Sequence, residues 1–128
     1  MLDDKMLEKM LEKKVWAVVG VNENTEKYGN MIYKKLKRYG YKVYPVNPKY
    51  QEIEGEKCYS HLSLLPEKPD VVNMVVSPKI GKSIIEEAAN LGIEYIWLQP
   101  GTYNEEIINL IDEKSINAVK ACVLMSLN

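Results

Sequence analysis

Val15-Trp16-Ala17-Val18-Val19-Gly20 is a continuous apolar run closed by a glycine. It is too short for a helix, and its residues do not alternate between apolar and polar. Strands buried on both faces have this character, and such strands belong to parallel sheets. The run therefore predicts a strand that ends in a tight turn at Gly20. Working outward, the pattern recurs. Lys42-Val43-Tyr44-Pro45-Val46 is a second strand, with its proline late, where the ladder is ending. Val71 to Val76, Tyr95 to Leu98 and Ala118 to Val123 are predicted as further strands. Gly55 to Tyr59 offers a short edge strand, and Leu62 to Leu65 a single helical turn before Pro66.

Helical periodicity fills the intervals. Residues 2–13 place Leu2, Met6, Leu7, Met10 and Leu11 at helical spacing, with Asp3 and Asp4 at the favourable end. Residues 28–39 carry Tyr28, Ile32, Leu36 and Tyr39 on one face, and Gly40 stops the helix. Ser77-Pro78 opens a third helix, serine as N-cap and proline at the first helical position. Ile80, Ile84, Ile85, Ala88 and Leu91 form its apolar stripe. Asn104 caps a fourth helix that runs to about Lys114. Strands alternating with helices imply right-handed βαβ units, hence a three-layer α/β domain with a mostly parallel sheet. No repeat and no linker divides the chain, so one domain is expected over residues 1–128.

Composition narrows the function classes. At 46% hydrophobic and 27% charged residues, disorder is excluded. Seventeen Lys and Arg against 18 Asp and Glu leave a net charge of -1, which disfavours a long polyanion such as nucleic acid. Two cysteines are too few for a disulfide scaffold. No signal peptide is visible and no run approaches a membrane span, so the expected setting is cytoplasmic. The one histidine, His61, has no Cys/His cluster beside it in sequence and is expected in a loop. No H-E-x-x-H and no G-x-S-x-G occurs.

In open α/β sheets ligands bind beyond the carboxyl ends of the strands. Four segments occupy those ends. The first contains Gly20, Asn22, Lys27, Tyr28 and Gly29, a glycine turn before a helix N-terminus, where free N–H groups suit a diphosphate. It matches neither G-x-G-x-x-G nor a P-loop. The second is Val46-Asn47-Pro48-Lys49. No acid lies between Tyr39 and Gln51, where an NAD site places one for the ribose. Lys49 there suits a phosphorylated ribose better than a free diol. Ser77 and Pro78 form the third segment, and Gln99 and Gly101 belong to the fourth. For each, an ordinary turn or cap is the alternative.

Together the four segments resemble the small CoA-binding Rossmann-domain family, related to the CoA-binding domain of the succinyl-CoA synthetase alpha subunit. The resemblance is carried by Val18-Val19-Gly20, Gly40-Tyr41, Pro45-Val46-Asn47-Pro48, Leu62-Ser63-Leu64-Leu65-Pro66 and Trp97-Leu98-Gln99-Pro100-Gly101. It implies a strand order of 3-2-1-4-5-6, with the segment near Cys58 as the third strand. It also implies coenzyme A as cofactor, with the diphosphate over the first loop and the adenosine near the second and third segments. Two stretches depart from the family pattern. Gly20-Val21-Asn22 stands where Gly-Ala-Ser is common, and Lys120-Ala121-Cys122 where Asp-Arg-Cys is common.

The expectation is thus a non-catalytic binding protein for coenzyme A or an acyl-CoA. The alternative is an NAD(P)-binding oxidoreductase or redox sensor. Cys122 is a candidate for a mixed disulfide with the CoA thiol. A homo-oligomer and association with an unidentified partner protein both remain open.

Overall fold

The computed structural model describes residues 4–127. Leu2 and Asp3, expected in the first helix, lie outside them. In chain order the elements are α1 (Asp4–Leu11), β1 (Val15–Val19), α2 (Tyr28–Arg38), β2 (Lys42–Val46), β3 (Glu52–Ile53) and β4 (Glu56–Lys57). A 3-10 turn (Leu62–Leu64) follows, then β5 (Val71–Met74), α3 (Pro78–Asn90), β6 (Tyr95–Leu98), α4 (Glu105–Glu113), β7 (Asn117–Lys120) and α5 (Val123–Ser126).

The main sheet has the order β2-β1-β5-β6-β7, and every pairing in it is parallel. Side chains alternate across it. Trp16, Val18, Val71, Trp97 and Val119 face one layer, with Met10 of α1, Ile32, Tyr33 and Leu36 of α2, and Val123 of α5. Ala17, Val19, Val72, Met74, Ile96 and Leu98 face the other, with Ile85 and Ala88 of α3 and Ile107 and Ile111 of α4. This is the Rossmann-like three-layer arrangement. The two tryptophan rings lie 5.6 Å apart. Their indole N–H groups donate to Lys13 O and Ala121 O, so neither buries an unpaired donor.

The outermost strand is vestigial. β3 and β4 pair only with each other, as an antiparallel hairpin whose tip is Glu54 (φ 51) and Gly55 (φ 80). Two positive φ values in succession are what a tight hairpin turn needs. Only Tyr59 reaches the main sheet, through a parallel bridge to Val46. Its N–H donates to Pro45 O and its carbonyl accepts from Asn47 N, each at 2.9 Å. Pro45 has no N–H to offer, so this ladder cannot extend back along β2. The sheet thus keeps the 2-1-4-5-6 part of the expected order and reduces strand 3 to one residue.

The last strand is shorter than expected. The sheet ends at Lys120, and Cys122 becomes the N-cap of α5. The buried Gln99 carboxamide oxygen draws the chain aside by accepting from Val123 N at 2.9 Å. Ser77 takes the N-cap position of α3 with extended dihedrals, but its hydroxyl makes no capping bond. Asn104 caps α4 as expected, its side chain accepting from Ile107 N.

Candidate ligand crevice

Beyond the strand ends, β1 and β5 are neighbours, yet the connections that leave them run to opposite faces of the sheet, into α2 and α3. That divergence opens a crevice at the switch point of the topology. A cavity of about 700 Å³ sits there. Val19, Val46, Val75 and Val76 supply apolar wall. Ile80, Ser83, Ile84 and Glu87 line it from α3, and Ser60 and His61 from the segment before the 3-10 turn. Gly20, Asn47, Pro48, Lys49 and Ser77 complete the lining.

Of the residues expected at the site, Gly20, Val46, Asn47, Pro48, Lys49 and Ser77 meet in this cavity. Gly20 has φ +100, and a Cβ on it would stand 2.8 Å from Val75 O and from Val76 Cγ1. Glycine is therefore required for the turn after β1 to touch the end of β5.

The rest of the first loop adjoins the cavity without lining it. Asn22 and Asn24 shape it by accepting from the N–H two residues on, at 2.8 and 2.9 Å. Lys27 is the N-cap residue of α2, and Tyr28 is 63% exposed. Gly29 is buried, and a Cβ there would run into Gly20 O. Pro78 is the first residue of α3. Gln99 and Gly101 lie outside the cavity, on the far side of β5. Gln99 is committed to α5, and Gly101 stands in open space at φ +87.

His61, Ser60, Ser83 and Glu87 line the cavity but are not prominent in the sequence. Glu87 shares one helical stripe with Ile80, Ser83 and Ile84, so its side was legible once α3 was placed. His61 and Ser60 carry no such signal. Their position follows from the Tyr59 bridge and from Glu87, whose carboxylate accepts from Leu62 N (3.2 Å) and Ser63 N (3.3 Å). Both are long-range contacts that no local pattern encodes.

Lys27, Lys49 and Lys79 make no ion pair among the described residues, and of the three only Lys49 lines the cavity. A second cavity, of about 710 Å³, lies across the wall formed by Pro48 and Ser60. Cys58 lines it, and burial pushes its thiol pKa up. Cys122 is half-buried and lines neither cavity. No group of three or more His, Cys, Asp or Glu among the described residues is arranged to hold a metal ion. No helix among them is long and apolar enough to cross a membrane.

A parallel sheet with a glycine turn into a helix and an open crevice at the switch point defines a Rossmann-like α/β domain. The particular family follows from comparison with known proteins. A model of the CoA-binding domain matches residues 14–128, and the chain belongs to that family. It is 38% identical over 88 residues to the ADP-forming acetate–CoA ligase I of Archaeoglobus fulgidus, covering 69% of this chain and 13% of the ligase. It is 31% identical over 98 residues to the uncharacterized protein YneT of Bacillus subtilis, covering 77% of this chain and 73% of that one. A hypothetical protein from Pyrococcus horikoshii superposes with a TM-score of 0.90 at 36% identity, over 98% of this chain and 89% of the other. The chain spans less than a quarter of the ligases it matches first.

Proposed function

We propose that the protein binds coenzyme A or an acyl-CoA and acts as a binding unit rather than a catalyst. The adenosine occupies the cavity between β1, β2 and β5. The diphosphate lies over the loop from Gly20 to Gly29. Lys49 takes the 3′-phosphate. The pantetheine runs outward. The observation that carries this reading is the crevice itself: an apolar slot for a base, with a free lysine on its rim and a glycine-bounded loop beside it.

No acid–base pair is assembled in the cavity among the described residues, which favours binding over catalysis. Glu87 is the cavity's one carboxylate, and it is already spent on two backbone N–H groups. His61 makes no ion pair among the described residues, so nothing orients it as a base. A ligase subunit alpha of Pyrococcus furiosus matches over 78% of this chain but only 22% of its own length. A unit of this kind would work with a partner chain or a second copy of itself.

Calorimetric titration with CoA, dephospho-CoA, NAD and NADP tests the assignment. CoA is expected to bind most tightly. Tighter binding of NAD would overturn it. Equal affinity for dephospho-CoA would remove the role given to Lys49.

A further inference from the structure

Behind the first loop, two buried or half-buried amides hold successive carbonyls. Asn47 Nδ2 donates to Val21 O at 2.8 Å, and Asn30 Nδ2 donates to Asn22 O at 2.9 Å. We propose that Asn30, in the first turn of α2, is a positioning residue that holds this loop ready for the diphosphate, with Asn47 as its counterpart one peptide earlier. The inference rests on the CoA-binding role proposed above.

The peptide plane supplies the mechanism. In a trans peptide the carbonyl of one residue and the N–H of the next point in opposite directions, and no cis bond is present among the described residues. Tying back Val21 O therefore turns the N–H of Asn22 away from Asn47. Tying back Asn22 O turns the N–H of Glu23 away from Asn30. Neither N–H donates to a protein acceptor among the described residues. A Cβ on residue 29 would stand 3.2 Å from Asn22 N, so Gly29 is what leaves that N–H uncovered. The N–H groups of Tyr28 and Gly29, the first two of α2, also donate to no acceptor among the described residues. The result is a set of preset donors without a side chain in the way, the arrangement an anion binds at least reorganisation.

Asn30 is well suited to this task and poorly suited to packing alone. It is fully buried, and its Oδ1 has no partner. An apolar residue would pack there without an orphaned acceptor. What the amide provides is two donors. One serves Asn22 O, and the other reaches Glu54 Oε2 of the hairpin at 3.4 Å. Both partners are acceptors, so the nitrogen must face them.

The test compares CoA with adenosine 3′-monophosphate, which has the base, the ribose and the 3′-phosphate but no diphosphate. Asn30→Ala should weaken CoA about tenfold, the scale of a lost positioned hydrogen bond to an anion, and leave adenosine 3′-monophosphate within about twofold. If wild type fails to bind CoA, the function proposed above falls and this inference falls with it. If wild type binds CoA and Asn30→Ala binds it equally, only this inference falls. Equal weakening of both ligands would make Asn30 a general support of the fold and would also overturn the inference. Hydrogen exchange on the unmodified protein decides the matter even if the variant does not fold. CoA should slow exchange at the Asn22 and Glu23 amides, and unchanged exchange there would refute the assignment.

Discussion

The loop after β1 and the turn after β6 start alike and end differently. Each leaves a buried parallel strand, and each contains a glycine with positive φ. In the first, Gly20 and Gly29 pack against backbone, and a Cβ on either would collide with it. In the second, Gly101 has open space around it, and only its φ favours glycine. The polar side chains differ too. Asn30 and Asn47 hold carbonyls of the first loop, which leaves backbone donors free. Gln99 fills a backbone donor of α5, and Thr102 Oγ1 donates back to Gln99 O at 2.7 Å, which closes the second turn on itself. One strand end thus leaves backbone donors open, and the other closes a corner.

Glycine substitutions should separate the two most sharply. Gly29→Ala forces the first turn of α2 away from Gly20 O, and overpacking against backbone is expected to cost about 3 kcal/mol. CoA affinity should fall with it, because the same Cβ crowds Asn22 N. Gly101→Ala meets nothing and carries only the left-handed penalty, about 1 kcal/mol, with CoA affinity unchanged. Thermal melts and calorimetry on the pair provide the check. If Gly101→Ala proved as costly as Gly29→Ala, the two strand ends would not differ as described.

Gln99→Ala comes next. It leaves the buried Val123 N–H without its acceptor, for about 2 kcal/mol of stability. Because Gln99 lies outside the cavity, CoA affinity should stay within about twofold. A large affinity loss at preserved stability would move the ligand toward β6.

These contrasts explain what the sequence could and could not reveal. The strands were legible because apolar runs bounded by glycine and proline leave few alternatives, and β1 is the clearest case. The crevice side of the sheet was legible from topology alone, which brought Gly20, Asn47, Lys49 and Ser77 together. Local pattern could not say that Gln99 faces α5. Its role depends on the chain leaving the sheet after Lys120, and Ala121 to Met125 is apolar enough to read as strand or helix. Nor could pattern place His61, because the 58–64 segment is held by Glu87 and Tyr59 across long sequence separations. Strand 3 is cut to the single Tyr59 bridge for a more specific reason. Pro45 denies the edge of β2 one donor, and the chain makes a hairpin of its own instead.

Acid should distinguish the β3–β4 hairpin, which Asn30 behind the first loop reaches through Glu54, from the turn after β6 more gently. The hairpin is joined to α2 by titratable ties. Glu56 pairs with Lys37 and accepts from the Tyr33 hydroxyl, and Glu54 pairs with Lys34 at 3.8 Å. Lys37 above all, and then Tyr33, hold the Glu56 carboxyl below its ordinary range. A carboxyl lowered on folding adds stability that is present above its unfolded pKa, about 4.3, and is lost as pH falls through the folded value. The turn after β6 is closed by Gln99 and Thr102, which do not titrate. Protection of the Cys58 amide, which donates to Gln51 O at the base of the hairpin, should therefore drop below about pH 4. Protection of the Thr102 amide, bonded to Gln99 O, should persist to lower pH. Protection factors at pH 7 and in mild acid make the comparison, with Lys37→Met as control. That variant removes the principal cause of the lowered pKa, so the drop should shrink in it. If Thr102 and Cys58 lost protection together, acid would be acting on the whole fold, and the hairpin would have no separate attachment.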